Sequence, residues 1–199
     1  MKVIGITGGI GSGKSTISKM IRDYGYPVFD CDEQAKKLYI YDIYTINEIK
    51  EKFGDNIYVD GVLDRQKLAN IVFNDKGSLD TLNSIIHPKT REYMYLSILD
   101  NMDKDLFFVE SAIMFESGLN EYMDKVISVT APEKTRIDRV IKRDNTTKEQ
   151  ILNRMSNQMS EKDRLTKCDY IIDTNQTLHK VDNLVFDLLG KIKLLKDEN

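Results

Sequence analysis

The residues with the clearest chemistry are Gly8-Gly-Ile-Gly-Ser-Gly-Lys14-Ser15-Thr16. Their spacing is G-x-x-x-x-G-K-[ST], the pattern of a phosphate-binding loop. Glycine lets the backbone wrap closely enough to aim several N–H groups at one anion. An apolar run precedes the loop and a helical pattern follows it, so a helix N-terminus adds its positive dipole end. Gly11, Ser12, Gly13, Lys14, Ser15 and Thr16 are thus candidate triphosphate ligands, with Lys14 reaching the β- and γ-phosphates and Ser15 a Mg²⁺ ion. A dinucleotide loop would need G-x-G-x-x-G. Counting from Gly9 puts Lys14 at the last position, and counting from Gly11 puts Thr16 there, so that reading is rejected.

Phosphoryl transfer also needs acids and cations. Asp30 ends the short strand candidate Pro27–Asp30, and Asp32 follows two residues later in Phe29-Asp-Cys-Asp-Glu33. If the strand continues, both face one side; equally, either one caps a helix entered at Glu33. Glu110 ends Leu106-Phe-Phe-Val109, where a metal-holding acid would stand, or simply a strand-end acid. Glu116 is a weaker candidate. Arg136, Arg139 and Arg143 share a helix face by their spacings of three and four. They form either a phosphate clamp or a solvated stripe, and Arg154 has the same two readings. His87-Pro88 is expected to close a helix. His179 carries no functional expectation. Thr166-Lys-Cys-Asp169 imitates a guanine-reading TKxD motif, but a charged helical pattern precedes it and no D-x-x-G ends an earlier strand. A GTPase switch is therefore disfavoured.

The elements that must position these residues alternate. Strands are expected at Lys2–Thr7, Pro27–Asp30, Leu106–Glu110, Lys125–Thr130 and Tyr170–Asp173, mostly as continuous apolar runs. Such runs suit a parallel sheet covered on both faces. Ile17, Met20, Ile21 and Tyr24 form one helical face, and Val181, Leu184, Val185, Leu188, Leu189, Ile192 and Leu195 form another. The stretch from about Glu33 to Asp105 is longer than a crossover needs and implies a helical insertion. A second, polar and Arg-rich, runs from about Pro132 to Lys167.

The chain has 199 residues, 41% hydrophobic and 31% charged, with net charge −3. That suffices for a real core. The absence of a basic excess argues against nucleic acid as a partner. Cys31 and Cys168 are the only cysteines and form no ligand-spaced cluster. They are expected to remain thiols in a reducing cytoplasm. No apolar run approaches the ~18–20 residues of a membrane span.

Several separated segments together resemble the dephospho-coenzyme A kinases, P-loop kinases of the nucleoside-monophosphate-kinase type. These are Ile4–Thr16, Phe29-Asp-Cys-Asp32, Leu82–Pro88, Val109–Glu116, Arg136–Arg143, Arg154–Gln158 and Ile171–Asn175. The resemblance spans nearly the whole chain. It implies an α/β fold with a five-stranded parallel sheet, a helical acceptor-binding insertion and an Arg-bearing lid. The core would comprise residues 1–31, 101–131 and 166–199, the acceptor domain 32–100 and the lid 132–165. The implied reaction moves a phosphate from Mg-ATP to the ribose 3′-hydroxyl of dephospho-coenzyme A, the last step of coenzyme A synthesis. Asp32 matches the family's base and Lys14 its phosphate-binding lysine. Arg139 and Arg143 match its lid arginines, and Asn175 a position near the adenine. His87 and Arg91 fall on the acceptor side, and Ser15 and Glu110 on the metal side. The family often has Pro-Leu-Leu where Ala112-Ile-Met114 stands, and Asn-Gly where Asn175-Gln176 stands.

Overall fold

A computed structural model describes residues 1–194, with Phe73 and Asn74 described by their backbone only. In chain order the strands are β1 (Lys2–Thr7), β2 (Val28–Asp30), β3 (Tyr58–Val59), β4 (Val62–Leu63), β5 (Leu106–Glu110), β6 (Lys125–Thr130) and β7 (Tyr170–Asp173). The α-helices are α1 (Lys14–Asp23), α2 (Cys31–Tyr41), α3 (Ile43–Phe53), α4 (Arg65–Asn74), α5 (Lys76–Leu99), α6 (Glu133–Asp144), α7 (Lys148–Ser156), α8 (Glu161–Lys167) and α9 (Leu178–Leu194). The chain divides into two compact units, one of Met1–Phe29 with Asn101 onward, the other Asp30–Asp100.

The main sheet has five strands in the order β2-β5-β1-β6-β7. β1 runs parallel to β5 and β6, and β6 runs parallel to β7. The inner strands carry the continuous apolar runs because both their faces are covered. All five residues of β5 are buried, whereas edge strand β7 buries only Ile172. Ile17 and Ile21 of α1, and Val181, Val185, Leu188, Leu189 and Ile192 of α9, pack with Ile4, Ile6, Phe108 and Val129. Leu184 departs from the expected stripe and is exposed. Leu195 lies outside the described residues.

In the second unit α2, α3 and α4 surround α5, burying Leu38, Ile49, Leu68, Leu82, Ile85 and Ile86 together. Here the structure corrects one expectation. His87-Pro88 does not close a helix, because α5 continues through Pro88 to Leu99. Proline removes one helical N–H and crowds the preceding turn. Core residues nonetheless stand on both sides of it, Leu82, Ile85 and Ile86 before and Thr90 and Met94 after, so ending the helix there would expose one set. The insertion is otherwise mostly helical, as expected, with a small hairpin, β3–β4, between α3 and α4. Its turn is Asp60-Gly61, both with positive φ, the dipeptide that two-residue hairpins favour.

Candidate active site

The loop after β1 has a shape that only glycine allows at three points. Gly8, Gly11 and Gly13 have φ of 155°, 76° and 98°, and side chains at Gly8 and Gly11 would overlap the backbone of Val129 and Arg136. Gly13 caps α1, so the loop hands its N–H groups directly to that helix's N-terminus. Lys14 opens α1, and its Nζ donates to the Gly8 carbonyl at 2.9 Å, drawing the lysine back across the loop. Ser15 and Thr16 lie exposed in the first turn, while Ser12 is buried.

Three side chains from the segment between β6 and β7 brace this loop. Gln158 accepts from the Ile10 N–H at 3.0 Å, and its amide lies 3.4 Å from the Ala112 carbonyl. Arg136 is buried and pairs with Glu161 at 2.7 Å. Glu161 also accepts from the Thr130 hydroxyl. A side chain at Gly9 would run into the Arg136 guanidinium and lie 3.2 Å from Arg164. Arg164 is likewise buried and donates to the Met159 carbonyl at 3.3 Å. Burial lowers the Arg164 pKa from its ordinary value, with the Glu161 charge opposing.

Arg139 reaches the loop from α6. Its Nη1 donates to the Thr174 hydroxyl at 2.8 Å and its Nη2 to the Thr174 carbonyl at 2.9 Å, while Nη1 lies 3.5 and 3.4 Å from the Gly11 and Ser12 carbonyls. The three arginines thus have different settings. Arg136 is locked in an ion pair and Arg139 lies against the loop. Arg143 points away, forked onto Asp144 at 2.6 and 2.9 Å with most of its side chain exposed. Arg154 also approaches Asp144, at 3.6 Å. Asn175 follows Thr174, and its side-chain oxygen accepts from Thr135 at 3.2 Å.

Glu110 ends β5 as a buried carboxylate, opposite Ile6 in the β1 register. Ser111 follows and donates its N–H to the Ile6 carbonyl. Ser15 and Glu110 offer the hard oxygen donors that Mg²⁺ prefers. Among the described residues no group of three or more His, Cys, Asp or Glu could cage an ion. One hydroxyl and one carboxylate fit a Mg²⁺ ion that keeps further oxygen ligands of its own, the usual arrangement for that ion. Glu116 accepts from the Met159 N–H at 2.7 Å and serves as a loop tie.

In the helical unit the Asp30/Asp32 ambiguity resolves. Helix α2 begins at Cys31, two residues earlier than expected, so the strand does not continue to Asp32. Asp30 is the cap, accepting from the Glu33 N–H at 2.9 Å. Asp32 stands exposed in the first turn, outside that capping bond. His87 and Arg91 lie one turn apart on α5, both partly buried. Burial first, and then the Arg91 charge, push the His87 pKa below its ordinary value.

The TKxD look-alike is part of the scaffold. Thr166 and Lys167 end α8, and the Asp169 carboxylate accepts from the Val126 N–H at 2.8 Å and pairs with Lys125. Cys31 and Cys168 are both free thiols, and burial raises that of Cys168. Among the described residues no helix is long and apolar enough to cross a membrane. Sequence reasoning missed Glu161 and the hub at Thr174. Ser160-x-x-Asp163 signals the start of α8, but nothing local shows that Glu161 meets an arginine 25 residues away.

The family model CoaE, dephospho-CoA kinase, matches residues 2–180. A dephospho-CoA kinase of Listeria monocytogenes serotype 4b is 36% identical over 194 residues, covering 96% of each chain. Among solved structures, a Thermus thermophilus protein superposes with a TM-score of 0.85 at 31% identity, covering 98% of each chain. The dephospho-CoA kinase of Campylobacter jejuni gives 0.70 at 28% identity, covering 96% of each. A glycine loop braced by Arg139 on a five-stranded parallel sheet, matched along almost its whole length, makes this chain a member of the dephospho-CoA kinase family.

Proposed function

We propose that the chain transfers the γ-phosphoryl group of ATP to the ribose 3′-hydroxyl of dephospho-coenzyme A, releasing coenzyme A and ADP in the cytoplasm as the last step of coenzyme A synthesis. Its family makes it a kinase. The observation that carries the residue-level reading is the formed phosphate loop with Lys14 drawn across it and Arg139 docked on its rim.

Such transfers pass through a loose transition state whose charge spreads over the equatorial oxygens, so positioning and charge stabilisation supply most of the catalysis. The backbone N–H groups of Gly11 to Thr16 cradle the phosphates. Lys14 exchanges the Gly8 carbonyl for the β- and γ-phosphates, and Arg139 turns its guanidinium to the transferring group. Arg143 joins the lid by releasing Asp144. Asn175 lies beside the adenine. Ser15 and Glu110 would hold Mg²⁺, which when bound neutralises phosphate charge. The acceptor domain is residues 32–100 and the lid 132–165, with the remainder as core. His87 and Arg91 hold the acceptor, and Asp32 orients its 3′-hydroxyl and takes the proton. Asp32 stands exposed in the first turn of α2, two residues after the capping Asp30, which supports that role.

Mass-resolved product analysis after mixing the protein with Mg-ATP and dephospho-coenzyme A should show one phosphate gained by the acceptor, with AMP, CMP and UMP unmodified. Transfer to a nucleoside monophosphate instead would move the assignment to that kinase class. An Asp32→Asn protein should bind both substrates yet lose about 10²–10⁴-fold in kcat, the usual worth of a positioned base. Near-normal turnover would remove Asp32 from that role.

A further inference from the structure

Thr174 is the residue at which the phosphate loop, the lid arginine and the sheet meet. It directly follows β7 and is 6% exposed. Its N–H donates to the Thr130 carbonyl at 2.9 Å, fixing it to the end of β6. Its hydroxyl lies 2.7 Å from the Ser12 carbonyl, 3.2 Å from the Thr130 carbonyl and 2.8 Å from Arg139 Nη1. A hydroxyl has one proton to give and two lone pairs to offer. Arg139 can only donate, so the Thr174 proton goes to a carbonyl, and Ser12 is the nearer. The hydroxyl therefore accepts from the lid and donates to the loop. The Thr174 carbonyl takes the second arm of the same guanidinium at 2.9 Å. Its side chain also lies 3.4 Å from where a side chain on Gly13 would begin.

We infer that Thr174 is a positioning residue for ATP, seating Arg139 against the phosphate loop through its carbonyl and a hydroxyl shared with the Ser12 carbonyl. The guanidinium has five N–H donors in a rigid plane. Thr174 takes one from each terminal nitrogen and so fixes the plane. The Gly11 and Ser12 carbonyls stand at the long limit of hydrogen bonding, so the remaining donors are available to an anion in the loop. The same hydroxyl holds the Ser12 carbonyl, so the loop and the arginine keep their spacing as one body. This inference rests on the proposed reading of the loop as the ATP site.

The test compares Thr174→Val, which keeps shape and loses the hydroxyl, with Thr174→Ser, which keeps the hydroxyl. Calorimetry with Mg-ATP and steady-state kinetics supply the readouts. Loss of a charge-assisted hydrogen bond predicts about tenfold weaker ATP binding in Thr174→Val. The KM for dephospho-coenzyme A should stay within about twofold, and Thr174→Ser should bind ATP to within about threefold of the parent protein. In an Arg139→Ala background, Thr174→Val should cost less than about twofold more, because the two act as one unit. Arg139→Lys keeps the charge without the fork and should reproduce the Thr174→Val loss. It does so with Thr174 intact, so the idea stays testable even if Thr174→Val fails to fold. Parent-like ATP affinity in Thr174→Val or in Arg139→Lys, additive losses in the double variant, or equal losses in both KM values would overturn the inference. A parent protein that neither binds Mg-ATP nor transfers phosphate would instead overturn the ATP-site reading itself.

Discussion

At the residue scale, Gly9 shows how one missing side chain organises the loop. Its φ is not among the positive values found at Gly8, Gly11 and Gly13, so backbone freedom does not explain it. The Arg136 guanidinium occupies the space a Cβ would need. That guanidinium is held at 2.7 Å by Glu161, which also binds Thr130. Adding a methyl group therefore forces either the loop or a partly buried ion pair to move. Displacing the guanidinium takes the buried Arg136 charge from its partly exposed counter-ion, a costly outcome. Gly9→Ala should lower thermal stability and weaken Mg-ATP binding together, with an expected destabilisation of about 1–3 kcal/mol for overpacking. The change should be partly relieved by Arg136→Gln, which shortens the obstructing side chain. Urea unfolding of both single variants and the double variant checks it. Strict additivity would show that the two residues do not share the space.

At the element scale, the entry into α2 separates two aspartates that the sequence leaves equivalent. Asp30 bonds the Glu33 N–H and starts the helix, whereas Asp32 sits within the first turn. Asp30→Ala should cost about 1 kcal/mol of stability, the typical value of a lost cap. Asp30→Asn should restore most of that, since asparagine caps as well as aspartate. Turnover should remain within a few-fold of the parent in Asp30→Asn, in contrast to Asp32→Asn. Urea midpoints and initial rates measured on the same preparations decide it. A large rate loss in Asp30→Asn would place chemistry on the capping residue. Much of this architecture is legible in the chain. The inner strands read clearly because burial on both faces demands unbroken apolar runs, as in Leu106–Val109. The phosphate loop reads clearly because its glycines, Lys14 and Ser15 are contiguous. Helix ends and side-chain partners read poorly. Pro88 carries a local signal to stop that the packing of Thr90 and Met94 overrides. The Arg136–Glu161 pair and the Thr174 hub join residues far apart in sequence, so no local periodicity announces them.

At the scale of the whole molecule, acid sensitivity should reflect His87, which lies in the helical unit around α5. Its pKa is lowered first by burial and then by the charge of Arg91. The folded protein therefore holds His87 neutral where the unfolded chain, with an ordinary histidine pKa of about 6.5, already binds a proton. Stability from this group is full above that value and declines as pH falls through it, because protons favour the unfolded chain. Carboxylates contribute their own acid loss, so the informative quantity is the difference between proteins. His87→Gln cannot take up this proton. The drop in urea midpoint between pH 7.5 and pH 5.5 should therefore be smaller for His87→Gln than for the parent. An equal drop would mean that the imidazole titrates freely in the folded state. The same neutrality bears on substrate recognition. An uncharged imidazole donates one hydrogen bond but supplies no cation for a diphosphate, so on the proposed acceptor side that charge falls to Arg91. Arg91→Ala should raise the KM for dephospho-coenzyme A by about tenfold or more, as expected for a lost charge-assisted contact. His87→Gln should raise it less, and the parent KM should change little between pH 7 and 8.5. A KM that climbs steeply as pH rises through 7 would show that a protonated His87, and not Arg91 alone, meets the acceptor.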